Sequence, residues 1–163
     1  MPARIIDMSN ETIEEFDLVI VGTGSGNSIP GPEFDHWKIA IVERGLFGGT
    51  CLNVGCIPSK MFVYAADVAQ IVRTADAYGI EAEVTGVNWS AIRDRVFGRI
   101  DPIVEGGENY RLGDECPNIT VIKGEGLLVG ERILDIASED GGVRRITGRH
   151  MVLGAGARPF LPP

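Results

Sequence analysis

The chain of 163 residues is 44% hydrophobic and 23% charged, values ordinary for one soluble globular domain able to bury a core. Its formal net charge of -8, with no basic cluster to offset it, speaks against binding a phosphate backbone and so against a nucleic-acid partner. No apolar run reaches the ~20 residues that span a bilayer and the first residues lack a signal-peptide pattern, so no membrane partner is expected and the expected compartment is the cytoplasm.

Residues 1–16 show no strong period and read as an amino-terminal extension, with a short helix begun at Ser9 or Asn10 as cap. One domain is expected over 17–163. Its first element is the continuous apolar run Leu18-Val19-Ile20-Val21, the pattern of a buried parallel strand. Gly22-Thr23-Gly24-Ser25-Gly26 follows at once. A glycine turn after such a strand lets backbone N–H groups approach a pyrophosphate, with the positive end of the next helix behind them. The fingerprint asks for a third glycine where Asn27 stands, which predicts a looser helix, and Pro30-Gly31-Pro32 predicts that this helix is short or broken.

Lys38-Ile39-Ala40-Ile41-Val42 reads as a second buried strand. Glu43 closes it, about 20 residues beyond the glycines, where a carboxylate accepts from ribose hydroxyls.

Cys51 and Cys56 follow the double glycine Gly48-Gly49 and precede Pro58, which can open a helix in its first turn. A helix advances roughly 100° per residue, so positions five apart point about 140° away from each other and cannot bond on a regular face. If the two join, the backbone around Gly55 must be distorted, and a ring so strained suits catalysis better than stability. Two reduced thiols remain the alternative on spacing alone.

From Pro58 to Ala77 the residues Met61, Tyr64, Ala65, Val68, Ile71, Val72 and Ala75 follow helical spacing, and most are expected in the core. Lys60 lies at i+4 from Cys56 on that helix. Asn88 caps a second helix through Ile92, Val96, Ile100 and Ile103, which Asp101-Pro102 should kink or restart. Trp89 and Phe97 read as packing residues.

After Cys116, a spare thiol, the texture becomes β. Strands are expected at Ile119 to Ile122, Gly126 to Val129 and Arg132 to Ile136, and at Val143 to Ile146 after the hairpin signal Asp140-Gly141-Gly142. They predict a small antiparallel layer on the nucleotide fold. His150-Met151-Val152-Leu153 is a last buried strand, ending in the small residues Gly154-Ala155-Gly156-Ala157 that let the chain pass close to a cofactor.

The run Gly48-Gly49-Thr50-Cys51-Leu52-Asn53-Val54-Gly55-Cys56-Ile57-Pro58-Ser59-Lys60 closely resembles the redox segment of the flavoprotein disulfide reductases, the family of glutathione reductase, dihydrolipoyl dehydrogenase and mercuric reductase. Met61 to Ala69, Gly22 to Ser28 and Val96 to Ile103 resemble its mycothione reductase branch most. The resemblance implies an α/β, Rossmann-like FAD-binding fold and a redox disulfide between Cys51 and Cys56. FAD contacts are implied at Gly22, Gly24, Gly26, Glu43, Gly49, Thr50, Lys60 and Gly126, and at Ala155 and Gly156 of a variant A-T-G-S-R-P segment that continues through Arg158-Pro159. Lys60 corresponds to the lysine near the flavin N5.

By resemblance, Cys56 is the thiolate beside the flavin and Cys51 the accessible thiol that attacks a small-molecule disulfide, mycothione in that branch. NADPH would bind outside this chain. The chain stops where the family continues into its NAD(P)H and dimerisation domains, so a homodimer is expected of a longer enzyme and no turnover of this portion alone. Neither His36 nor His150 occupies the place of the family's catalytic histidine. The alternatives are dihydrolipoyl dehydrogenase, which runs with NAD, and a non-catalytic nucleotide-binding module. No metal is expected: two thiolates and two histidines could complete a zinc site on paper, but no second C-x-x-C or H-x3-H pair supports one.

Overall fold

A computed structural model describes residues 12–137, 141–157 and 160–162. The expected cap at Ser9 or Asn10, Asp140 of the hairpin signal, and Arg158-Pro159 lie outside the described residues. The first strand, β1, spans Glu14–Val21 and so begins inside the expected extension. Phe16, 4% exposed, belongs to the core, and its burial draws the polar residues before Asp17 into the strand.

β1 is followed by two 3-10 turns, Ser25–Ser28 and Pro32–Phe34, in place of a full crossover helix. The broken helix expected from the prolines is therefore found. β2 spans Ile39–Glu43 and pairs parallel to β1, Leu18 opposite Ile39 and Val21 opposite Val42. Three helices come next: α1 at Gly49–Asn53, α2 at Cys56–Arg73 and α3 at Trp89–Leu112.

The Asn88 side chain accepts the Ala91 N–H at 3.0 Å, the expected cap. α3 nevertheless runs unbroken through Pro102 to Leu112. Proline removes one helical donor, but both halves are anchored, the first by buried Val96 and Ile100 and the last turn by Arg111, so tertiary contacts override the local break. Trp89 stacks on Phe62 with ring centroids 5.2 Å apart, and Phe97 meets the same ring edge-on at 6.3 Å, so both are packing residues.

The expected burial of α2 is corrected. Of the apolar residues that set its period and its continuation, only Ala75 is buried, and Tyr64, Val68 and Ile71 are exposed. α2 packs chiefly on α1 and α3, which leaves its remaining apolar face uncovered in this chain.

β3 (Ile119–Lys123), β4 (Glu125–Gly130), β5 (Ile133–Ala137) and β6 (Val143–Leu153) complete one six-stranded sheet in the order β3-β2-β1-β6-β5-β4. This is the expected mixed α/β fold. β3 lies parallel to β2 and so belongs to the nucleotide half. The strands expected at Val143 to Ile146 and His150 to Leu153 are one element. Its first part pairs antiparallel with β5 and its length from Ile146 pairs parallel with β1. The antiparallel strands thus extend the main sheet edge to edge through β6 rather than packing on it. Val19, Ala40, Val42, Ile122 and Ile146 fill one face of the sheet, and Leu18, Ile20, Ile39 and Ile41 the other. Burial on both faces explains the unbroken apolar runs.

Candidate active site

The carboxyl ends of the parallel strands β2, β1 and β6 open into a cavity of about 800 Å³. This is where open α/β sheets bind ligands. Backbone bonds stitch its floor: Gly22 N–H donates to the Val42 carbonyl at 2.7 Å, Gly154 N–H to Val21 at 2.8 Å and Gly124 N–H to Glu43 at 2.9 Å.

Gly22, Gly24 and Gly26 line the cavity after β1. Gly22 has φ +97° and lies so close to the end of β6 that an added Cβ would stand 2.3 Å from the Gly154 carbonyl oxygen. The packing role expected at position 27 falls to Gly26, where a Cβ would meet Ile20 at 3.4 Å and Val152 at 3.5 Å. Asn27 turns instead toward α3. Its side-chain oxygen accepts Arg111 Nε–H at 3.0 Å, and its carbonyl accepts a second guanidinium N–H at 2.6 Å.

Glu43 lines the same cavity at the end of β2. Burial pushes its carboxyl up, but donors from Thr23, Gly45 and Arg44 outweigh that and hold it below its ordinary value, so it is a carboxylate at neutral pH. The Thr23 hydroxyl donates to Oε2 at 2.6 Å, the Thr23 N–H to the same oxygen at 2.9 Å, and the Gly45 N–H to Oε1 at 2.8 Å.

Gly49 and Thr50, at the start of α1, form the facing wall, where a Cβ on Gly49 would lie 2.6 Å from the Gly24 Cα. Asn53 closes α1 by donating to the carbonyls of Phe47 at 2.9 Å and Gly49 at 3.0 Å. Gly126 of β4, with Ala155 and Gly156 beyond β6, supplies the rest of the expected set, and a Cβ on Gly156 would come within 3.6 Å of Thr50 Oγ1. The nine cavity residues expected from these elements therefore come together, although they derive from five separate stretches.

Cys51 in α1 and Cys56 at the start of α2 also line the cavity as exposed free thiols. The chain breaks between the helices. Gly55 has φ -126° and ψ -116°, and a Cβ on it would lie 2.8 Å from the Thr50 carbonyl oxygen. The break at Gly55 that a bond between the two cysteines would require is present while both are free thiols. The Cys51 thiol is pushed up from its ordinary value, first by its hydrogen bond to Cys56, with slight burial and the charge of Cys56 adding. The Cys56 backbone N–H and the Lys60 charge pull against this. Lys60 lies exposed on α2 and is not among the cavity-lining residues, so its place here is electrostatic. His36 and His150 sit together at another place, both ringed around Trp37. Among the described residues no group of three or more His, Cys, Asp or Glu could hold a metal ion.

Sequence reasoning missed Thr23, the buried polar residue beneath the glycine turn, and Arg111, the partner of Asn27. The first left a signal, a β-branched hydroxyl residue between two glycines. The second left none, because 84 residues separate the partners.

Comparison with known proteins agrees with this geometry. The family described as Pyridine nucleotide-disulphide oxidoreductase matches residues 16–163. A mycothione reductase of Mycobacterium tuberculosis (strain ATCC 25618 / H37Rv) is 48% identical over 157 residues, which cover 93% of this chain and 33% of that protein. A glutathione reductase of Burkholderia cepacia is 28% identical over 154 residues, 91% of this chain and 32% of that protein. The HOCl-induced flavoprotein disulfide reductase RclA from Escherichia coli superposes with a TM-score of 0.70 at 23% identity, over 90% of this chain and 29% of that one. The chain therefore spans about a third of the length of these relatives. With its glycine turn, terminal glutamate and cysteine pair around one cavity, and with a family match over nearly its whole length, this chain belongs to the pyridine nucleotide-disulphide oxidoreductase family.

Proposed function

We propose that this chain is the FAD-binding and redox-cysteine portion of an NADPH-dependent disulfide reductase whose substrate is mycothione. Family members bind FAD and use a pyridine nucleotide, read here as NADPH. The observation that carries the reading is that the nucleotide turn and both cysteines line one cavity. The cradle fits a dinucleotide. Glycines keep its walls at backbone distance, and an ionised carboxylate waits at the end of β2. Gly22, Gly24 and Gly26 would take the pyrophosphate, Glu43 the ribose, Gly126 the adenine side, and Gly49, Thr50, Ala155 and Gly156 the length of the cofactor. When bound, FAD supplies two-electron transfer between the pyridine nucleotide and the cysteine pair.

The remaining chemistry belongs to the two thiols. The Cys51 sulfur, as thiolate, attacks one sulfur of the substrate disulfide, forms a mixed disulfide and releases one thiolate, which takes up a proton. Cys56, as thiolate, then attacks the Cys51 sulfur. The second product thiolate leaves and the Cys51 to Cys56 disulfide closes, so the dithiol has given up the electron pair that the substrate gained. The proton held on Cys51 by its bond to Cys56 must leave before the first attack, and the Lys60 charge favours that loss.

Mycothione is preferred over the dihydrolipoyl substrate because identity to the mycothione reductase is 48%, against 32% to a dihydrolipoyl dehydrogenase of Chlamydia trachomatis. The working enzyme is read as a cytoplasmic homodimer. No helix among the described residues is long and apolar enough to cross a membrane. The test is a visible spectrum of a full-length protein carrying this chain, followed by turnover with NADPH and mycothione. The expected result is bound flavin that gains a long-wavelength band on two-electron reduction, lost in C56S, with mycothione reduced faster than lipoamide. Absence of flavin would refute the site, and a preference for lipoamide with NAD would move the protein to the dehydrogenase branch.

A further inference from the structure

We propose that the Thr23 hydroxyl is a positioning group that joins the two halves of the site. It fixes the carboxylate that receives the cofactor's ribose and, through the same oxygen, the turn that delivers the redox cysteines. This rests on the FAD reading of the cavity.

Thr23 is 2% exposed and is the buried polar side chain among the described residues. A hydroxyl has one proton to give and two lone pairs to receive with. Gly48 N–H donates to Thr23 Oγ1 at 3.0 Å, so the Thr23 proton is directed to Glu43 Oε2, 2.6 Å away. One oxygen thereby bridges the acid at the end of β2 and the residue that caps α1, the helix carrying Cys51. The bridge crosses a contact with no slack, since the Gly24 and Gly49 backbones already touch beside it. Thr23 is among the residues around the cavity yet almost wholly buried. It acts through Glu43 and Gly48.

Serine keeps the oxygen, whereas valine keeps the shape and loses both bonds. In the full-length enzyme carrying this chain, T23V should weaken FAD binding about tenfold, equivalent to about 1.4 kcal/mol for one lost bond to a charged acceptor. T23S should stay within about twofold, the residual uncertainty of such comparisons. At saturating FAD, iodoacetamide should modify the reduced cysteines several-fold faster in T23V than in T23S, because the α1 turn has lost its tether. Adding T23V to E43Q should weaken FAD by less than the product of the separate effects, since the carboxylate that Thr23 holds is already neutralised. Should T23V fail to fold, T23A against T23S carries the same comparison. T23V with wild-type affinity and thiol reactivity, T23S as impaired as T23V, or fully multiplicative effects with E43Q would each overturn the proposal. A wild-type protein that takes up no FAD would overturn the ribose assignment as well, which distinguishes that failure.

Discussion

The glycine turn allows a sharp separation of folding from binding, through alanine placed at Gly22 or at Gly24. At Gly22 the backbone sits at φ +97°, and a methyl would stand 2.3 Å from the Gly154 oxygen, 2.8 Å from its carbon and 3.2 Å from the Ala155 Cα. All three are backbone atoms of the strand end beside β1, so none can move without straining the Gly154 to Val21 hydrogen bond. The left-handed conformation costs about 1–2 kcal/mol for a residue with a Cβ. Overpacking adds about 1–3 kcal/mol, so G22A should lose about 2–5 kcal/mol of a typical 5–15 kcal/mol. At Gly24, φ is -73° and the added methyl meets only the Gly49 Cα, at 3.7 Å. G24A should therefore cost less stability than G22A, yet it adds a methyl to the cavity lining and should expel FAD. Urea midpoints of both variants, read beside flavin retention, decide the matter. A G22A loss below about 1 kcal/mol, or a G24A loss equal to it, would refute the packing argument.

Asp135 and Arg145 form a bidentate pair across β5 and β6, with side chains 17% and 11% exposed. Arg145 holds the Asp135 carboxyl below its ordinary value of 3.8, against the upward push of burial. The pair stabilises the fold above that value and its contribution is lost as pH falls through the lower folded value, so D135N should cost about 1–3 kcal/mol at pH 7 and progressively less below about pH 4 in denaturation curves. For the cysteines, C56A removes the leading cause of the raised Cys51 value, so the pH profile of Cys51 alkylation should move to lower pH, and an unchanged profile would contradict the hydrogen bond. N88A deletes the α3 cap and should cost about 1 kcal/mol, seen as a lower urea midpoint.

The parallel half of the sheet was legible because burial on both faces leaves apolar runs that nothing else explains, as at Leu18 to Val21 and Ile39 to Val42. The cavity was legible for a related reason, since close backbone approach leaves glycines and a strand-terminal acid leaves Glu43. Periodicity misled where its meaning depends on what lies opposite. α2 has the spacing of a core helix, yet Tyr64 and Ile71 are 64% and 67% exposed, because spacing shows that a face is apolar and not what covers it. Pro102 misled in the other direction, since a local rule for ending helices cannot weigh anchors at Val96, Ile100 and Arg111. β6 was divided in two because it changes partners midway, from antiparallel to parallel, with no change of texture to mark the point.

The cysteine pair shows how one backbone break serves geometry and chemistry together. A continuous helix from Gly49 onward would turn Cys51 and Cys56 to different faces. The structure ends α1 at Asn53, carries Val54 at φ -139° and Gly55 at φ -126°, and starts α2 at Cys56, so that both thiols line one cavity and Cys56 acts on Cys51 closely enough to push its thiol up. Only a residue without a Cβ fits at 55, because the Thr50 carbonyl fills the space a side chain would need. That carbonyl is itself fixed, as it accepts the Val54 N–H at 3.0 Å and closes α1. The placement of both thiols on one cavity, the confinement of position 55 to glycine and the shortness of α1 are therefore one arrangement. A change that regularised the helix would separate the thiols before it touched either of them.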